Sequence, residues 1–101
     1  MNREARDIDS TLIRRGVNAS TFHEMEQFAE TIEERPLDKL LTELPGIAQL
    51  SGAKFDLARQ VVRRRANHLI AVEREQLRVM AEEVASGAGD DVAQRIRGIF
   101  G

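Results

Sequence analysis

Residues 53 to 86 read AKFDLARQVVRRRANHLIAVEREQLRVMAEEVAS, with neither proline nor glycine in the stretch. Nothing in it punctuates a helix, and it predicts one uninterrupted rod. At 1.5 Å per residue that rod is about 50 Å long, whereas a compact domain of roughly 100 residues has a radius of gyration of only about 13 Å. The residues before it are too few to clothe it. The expectation is an all-α fold: a helical bundle organised around one long helix over about 53–86, completed by oligomerisation as a homodimer or higher assembly.

The apolar pattern along this stretch supports the same picture. Phe55, Ala58, Val62, Ala66, Leu69, Met80 and Val84 share one side at a spacing near 3.6 residues, the period of a straight helix rather than the 3.5 of a coiled coil. Val61, Val72 and Val79 widen the apolar arc on one flank, and Ile70 and Leu77 widen it on the other. An arc this broad exceeds what a surface helix needs and suits a helix lying between two layers. Glu73 and Gln76 interrupt it. They are expected to form a polar pair that sets oligomer register, as buried polar side chains do in helical assemblies.

The rest of the chain also reads as helix, and no segment alternates as a strand would. A first helix is expected over about Arg3–Arg15, ended by Gly16. Thr21-Phe22-His23-Glu24 fits a capping box, opening a helix to about Glu34 with Phe22, Met25, Phe28, Ala29 and Ile32 as its stripe. Pro36 starts a short helix that shows Leu37, Leu40, Leu41 and Leu44 and breaks at Pro45-Gly46. Ser51 is positioned to cap the long helix. Ser86-Gly87-Ala88-Gly89 is a linker, and Asp90-Asp91 open a last helix with their charges at its positive end. Val92, Ile96, Ile99 and Phe100 make the apolar face of that helix. Residues 1–86 are thus one helical domain, and 87–101 a linker with an amphipathic helix. That helix either folds back as a lid or docks in a groove on a partner through Ile96, Ile99 and Phe100.

Composition narrows the function classes. Hydrophobic residues at 42% and charged residues at 32% place the chain among folded globular domains rather than disordered ones. No apolar run approaches the roughly 20 residues that span a bilayer, so no membrane partner is expected. The charged start MNREARDIDS has no apolar core of a signal peptide, which makes the cytoplasm the expected compartment. The chain has no cysteine, so disulfides, zinc–thiolate sites and thiol nucleophiles are excluded. His23 and His68 lack the carboxylate spacing of a helical metal site, and the serines stand at caps and linkers. Neither enzyme activity nor a cofactor is expected.

Charge is unevenly spread. Residues 24–43 hold seven acids and two bases, and residues 54–65 hold five bases and one acid. Thirteen of the fifteen basic residues are arginine, the side chain that meets carboxylate or phosphate with a planar fork. On a continuous rod Arg59, Arg63, Arg74 and Arg78 form one stripe, while Arg64 points elsewhere and is counted with them as a candidate contact. The two blocks either face each other or leave the arginines free for an acidic partner. Leu44-Pro45-Gly46-Ile47 resembles the hairpin of the helix-hairpin-helix DNA-binding family, with Ala48 where that family has a second glycine. The resemblance implies backbone N–H groups that hold a phosphate.

Together these features predict a non-catalytic protein-interaction, regulatory or adaptor module, self-associated or part of a larger complex. The alternative is a nucleic-acid-binding protein that uses the arginine stripe.

Overall fold

A computed structural model describes residues 19–101. The helix expected over 3–15 lies outside them. Five α-helices and one 3-10 turn follow in order: α1 Ala19–Glu34, α2 Leu37–Leu50, α3 Gly52–Ala66, α4 Ala71–Ser86, α5 Asp90–Arg97 and η1 Gly98–Phe100. No strand occurs among the described residues. The chain divides at Thr31/Ile32 into two units. In the first, α1 carries Phe22, Met25, Phe28 and Ala29 at helical spacing, each half-buried. The second, Ile32–Gly101, is a helical bundle built on α2.

The long rod does not form. It ends at Ala66, turns through 67–70 and restarts at Ala71 as a second helix of similar length. The amide N–H groups of His68 and Leu69 donate three residues back, to Arg65 and Ala66 at 3.2 and 3.1 Å, the tighter turn that commonly closes an α-helix. Ile70 is then extended (φ −69, ψ 160) and its carbonyl accepts the first bond of α4 from the Arg74 N–H at 2.9 Å. The local chemistry favours this break although no breaker residue is present. Arg63, Arg64 and Arg65 crowd the last turn of α3 and Glu73 stands in the first turn of α4, each the charge that its helix end prefers. Asn67 has weak helix propensity, and its side-chain oxygen accepts a 2.7 Å bond from Arg74 across the turn. Each half is about 23 Å long, so the mismatch in length that called for a second chain disappears.

Both halves pack on α2, which also touches α5. Leu40, Leu41 and Leu44 of α2 are fully buried. Around them stand Ile32, Phe55, Ala58, Val61, Val62, Ala66, Leu77, Ala81 and Ala85. The alanines at 58, 66, 81 and 85 put small side chains on the inward faces of α3 and α4, where close-packed interiors need them to fill space without overpacking. Among the described residues no polar or charged residue is buried.

Two further expectations change. Helix α2 runs through Pro45 to Leu50 instead of breaking at Pro45-Gly46. Proline removes one helical N–H and crowds the carbonyl four residues back; the buried leucines one turn earlier hold the helix across that defect. The helix-hairpin-helix resemblance therefore fails, because Leu44-Pro45-Gly46-Ile47 is helix and not hairpin. The last helix, in turn, folds back. Helix α5 packs on α4, η1 closes on α3, and Ile96 and Ile99 are 0% and 3% exposed. The Ser51 cap stands as expected, its hydroxyl accepting from the Lys54 N–H at 3.2 Å; Asp90 and Asp91 lie in the first turn of α5 at its positive end, but the N-cap is Gly89 and neither aspartate makes a capping bond.

Truncating Leu41 to Ala removes a side chain with no exposed surface and should lower unfolding free energy by about 2–5 kcal/mol. Leu50, 86% exposed, should tolerate the same change within about 0.5 kcal/mol. Urea titrations followed by far-ultraviolet circular dichroism measure both.

Candidate functional site

Most of the arginines are paired within the fold while remaining at its surface. The break at 67–70 divides the expected stripe: Arg59 and Arg63 stand on α3, Arg74 and Arg78 on α4. Arg64 pairs with Glu33 near the end of α1, and Arg65 donates to the Ile32 carbonyl at 3.1 Å. These two neighbours thus hold the C-terminal end of α1 against α3, where exposed helix carbonyls attract cations. Arg74 bonds Asn67, and its guanidinium lies over the Phe100 ring, 5.8 Å from the centroid. Arg78 grips Glu75 with two bonds, at 2.9 and 2.5 Å. Arg59 is a loose 3.7 Å from Asp56, which also meets Arg95 at 3.3 Å. Arg97 reaches Glu82 at 3.0 Å. Of the five candidate contact arginines, only Arg63 has no partner among the described residues.

The opposed charge blocks therefore meet in part. Arg64 to Glu33 joins the basic segment to the acidic one, while Arg35 to Glu43 closes the corner between α1 and α2 within the acidic segment itself. The Arg35 fork holds the Glu43 carboxyl below the ordinary glutamate range, chiefly through its hydrogen bonds. Arg78 does the same to Glu75. Both arginines are in turn held more firmly protonated.

The proposed docking side chains divide. Ile96 and Ile99 belong to the interior and present nothing to a partner in this fold. Phe100 is half-buried beneath Arg74. His23 and His68 are both exposed, one on α1 and the other in the 67–70 turn. Among the described residues no group of three or more His, Cys, Asp or Glu is placed to hold a metal ion. No helix among them is long and apolar enough to cross a membrane.

Glu73 and Gln76 are exposed rather than buried between layers. They stand on the rim of an open hollow of about 270 Å³ lined by Leu37, Asp38, Leu69, Leu77 and Met80. The hollow lies where the start of α2 meets the first half of α4. Beside it the outer side of α4 is apolar where water would favour polar residues: Val72 is 65% exposed and Val79 46%, and Ile70 just before the helix is 65% exposed. Positions 72, 76, 79 and 83 recur at the three- and four-residue spacing of one helix face, so two valines, Gln76 and Glu83 form a seam next to the hollow. Sequence periodicity marked Val72 and Val79 as apolar. It did not mark them as outward, because the inward direction of α4 depends on where α2 lies.

No protein-family model, curated protein or solved structure matches the chain.

The carboxylates of Glu43 and Glu75 ionise more readily in the folded chain than in the unfolded one. Their pairs therefore contribute stability above the ordinary glutamate pKa of about 4.3, and lose it as pH falls through the lower folded values. Glu43→Gln should be less stable than the parent at neutral pH. The two stability curves should converge at the acid end, where both states of the parent are protonated. The gap will be small, since both partners are at the surface; thermal melts across the acid range measure it.

Proposed function

We propose that this chain is a non-catalytic protein-interaction module that meets its partner through the outer face of α4 and the adjoining hollow. One observation carries the reading: Val72 and Val79 stand two turns apart on one helix, both strongly exposed, beside a hollow lined by Leu37, Leu69, Leu77 and Met80. Exposed apolar side chains scattered singly are ordinary. Two exposed valines beside a hollow with apolar lining, rimmed by Glu73, Gln76 and Glu83, make a patch of the kind that another protein covers. The partner surface thus moves from the terminal helix to the rim residues Glu73 and Gln76.

The arginines support the nucleic-acid alternative less well. A phosphate backbone is held by cations free to displace counterions, and four of the five candidate arginines already have partners within the fold.

A photo-crosslinking amino acid tests the proposal in the protein's own cells. Placed at Gln76, it should give discrete protein adducts. Placed at Arg63, which is also exposed to solvent but stands on α3, it should give none of the same adducts. Adducts that are absent at 76, or identical from both positions, would remove the reading.

A further inference from the structure

The surface that α4 presents is acidic as well as apolar, and three carboxylates on or beside it have no cation partner among the described residues. Asp38 and Glu73 rim the hollow, and Glu83 extends the seam of Val72, Gln76 and Val79. None of these three has a hydrogen-bonding or ionic partner among the described residues. The neighbouring glutamates, Glu75 and Glu82, are taken by Arg78 and Arg97. Asp38 and Glu73 occupy first turns, where the helix itself favours a negative charge. Glu83 does not. It stands in the last turn of α4, which holds no basic residue, and there the helix end opposes a carboxylate. A charge set against its own helix, with no counterpart among the described residues, complements a cation from outside.

A second copy of this face does not supply that cation. Glu73 and Glu83 lie near opposite ends of the seam. Antiparallel pairing of two such seams sets Glu73 of each against Glu83 of the other, and parallel pairing sets like against like. Either arrangement opposes carboxylates at both ends, which is unfavourable.

Resting on the reading above, we infer that the α4 face receives a cationic amphipathic helix from a different protein. Its apolar side chains enter the hollow beside Leu37, Leu69 and Met80 and lie along Val72 and Val79. Its arginines or lysines meet Glu73 and Glu83, which are ten positions or about 15 Å apart on α4, with Asp38 at the side of the hollow. A helix of three turns spans that distance, with apolar anchors at the i, i+4 and i+7 spacing used in helix-in-groove recognition.

Three labelled synthetic helical peptides test this by fluorescence anisotropy on the full chain. The first carries a leucine stripe flanked by arginines, the second replaces its arginines with glutamates, and the third keeps the arginines and replaces the leucines with alanines. The first should bind at least about tenfold more tightly than either of the others, a difference of about 1.4 kcal/mol, and should weaken as salt rises. Glu73→Lys/Glu83→Lys should transfer the preference to the glutamate peptide with the bundle still folded, because both positions are exposed and Lys at 83 offsets at the C-terminal end of α4 what Lys at 73 loses at its start. Equal binding of the first two peptides overturns the inference, as does equal binding of the first and third. So does a parent chain whose light-scattering mass rises with concentration to that of a dimer and returns to a monomer on Val79→Asp. Adducts from position 76 without any preference for the arginine–leucine peptide leave the interaction module standing and remove its cationic partner.

Discussion

Burial of Leu40, Leu41 and Leu44 on one short helix is the interaction on which the rest of the bundle depends. Helix α2 is the surface that α3, α4 and α5 all share. Three helices can share a floor only if each is short enough to lie across it, and that requirement explains the turn at 67–70. A continuous rod would leave one end projecting into solvent with its apolar arc uncovered. Ending the helix at Ala66 gives up a few backbone bonds, some of them recovered in the tighter turn through His68 and Leu69. In exchange, Phe55, Ala58, Val61, Val62 and Ala66 of one half and Leu77, Ala81 and Ala85 of the other all become buried. At about 25 cal/mol per Å² of apolar surface removed from water, burial of that many side chains outweighs a few exposed hydrogen bonds.

Polar contacts then secure the ends of elements rather than the core. Arg64 and Arg65 hold the end of α1, Arg35 and Glu43 close the corner into α2, and Arg74 ties the 67–70 turn to Phe100. Arg95 and Arg97 tie α5 to α3 and α4 through Asp56 and Glu82. The ion pairs among these sit at the surface, where a single pair contributes at most about 1 kcal/mol. Their collective effect is directional: they select which helix ends meet. One consequence is functional. With Arg78 and Arg97 paired to Glu75 and Glu82, the unpaired charge left on the outer side of α4 among the described residues is negative.

Much of the helical outline was legible locally. Pro36, Ser51, the Gly87–Gly89 segment and Asp90-Asp91 each mark a boundary by chemistry that acts over a few residues, and the boundaries stand there. Pro45 was the misleading signal, since its local penalty is outweighed by leucines that pack against helices distant in sequence. The turn at Asn67–Ile70 left a fainter mark: three arginines ending one helix and glutamates opening the next. That pattern is compatible with a continuous helix too, and it becomes decisive only when both halves have something to pack on. The candidate site follows the same logic. Glu73 and Gln76 were recognisable as polar residues among apolar ones, yet their place on an open rim depends on the position of α2.

What the residues determine alone is the helical class, the Ser51 cap and the apolar side of each helix, because these arise from backbone sterics and neighbours within one or two turns. Tertiary structure alone decided that the 53–86 stretch divides, that Ile96 and Ile99 turn inward, and that Val72 and Val79 turn outward. Periodicity says which side of a helix is apolar. Only the helix that arrives from elsewhere in the chain determines how much of that side is covered, because burial is a property of two surfaces and a sequence pattern describes one.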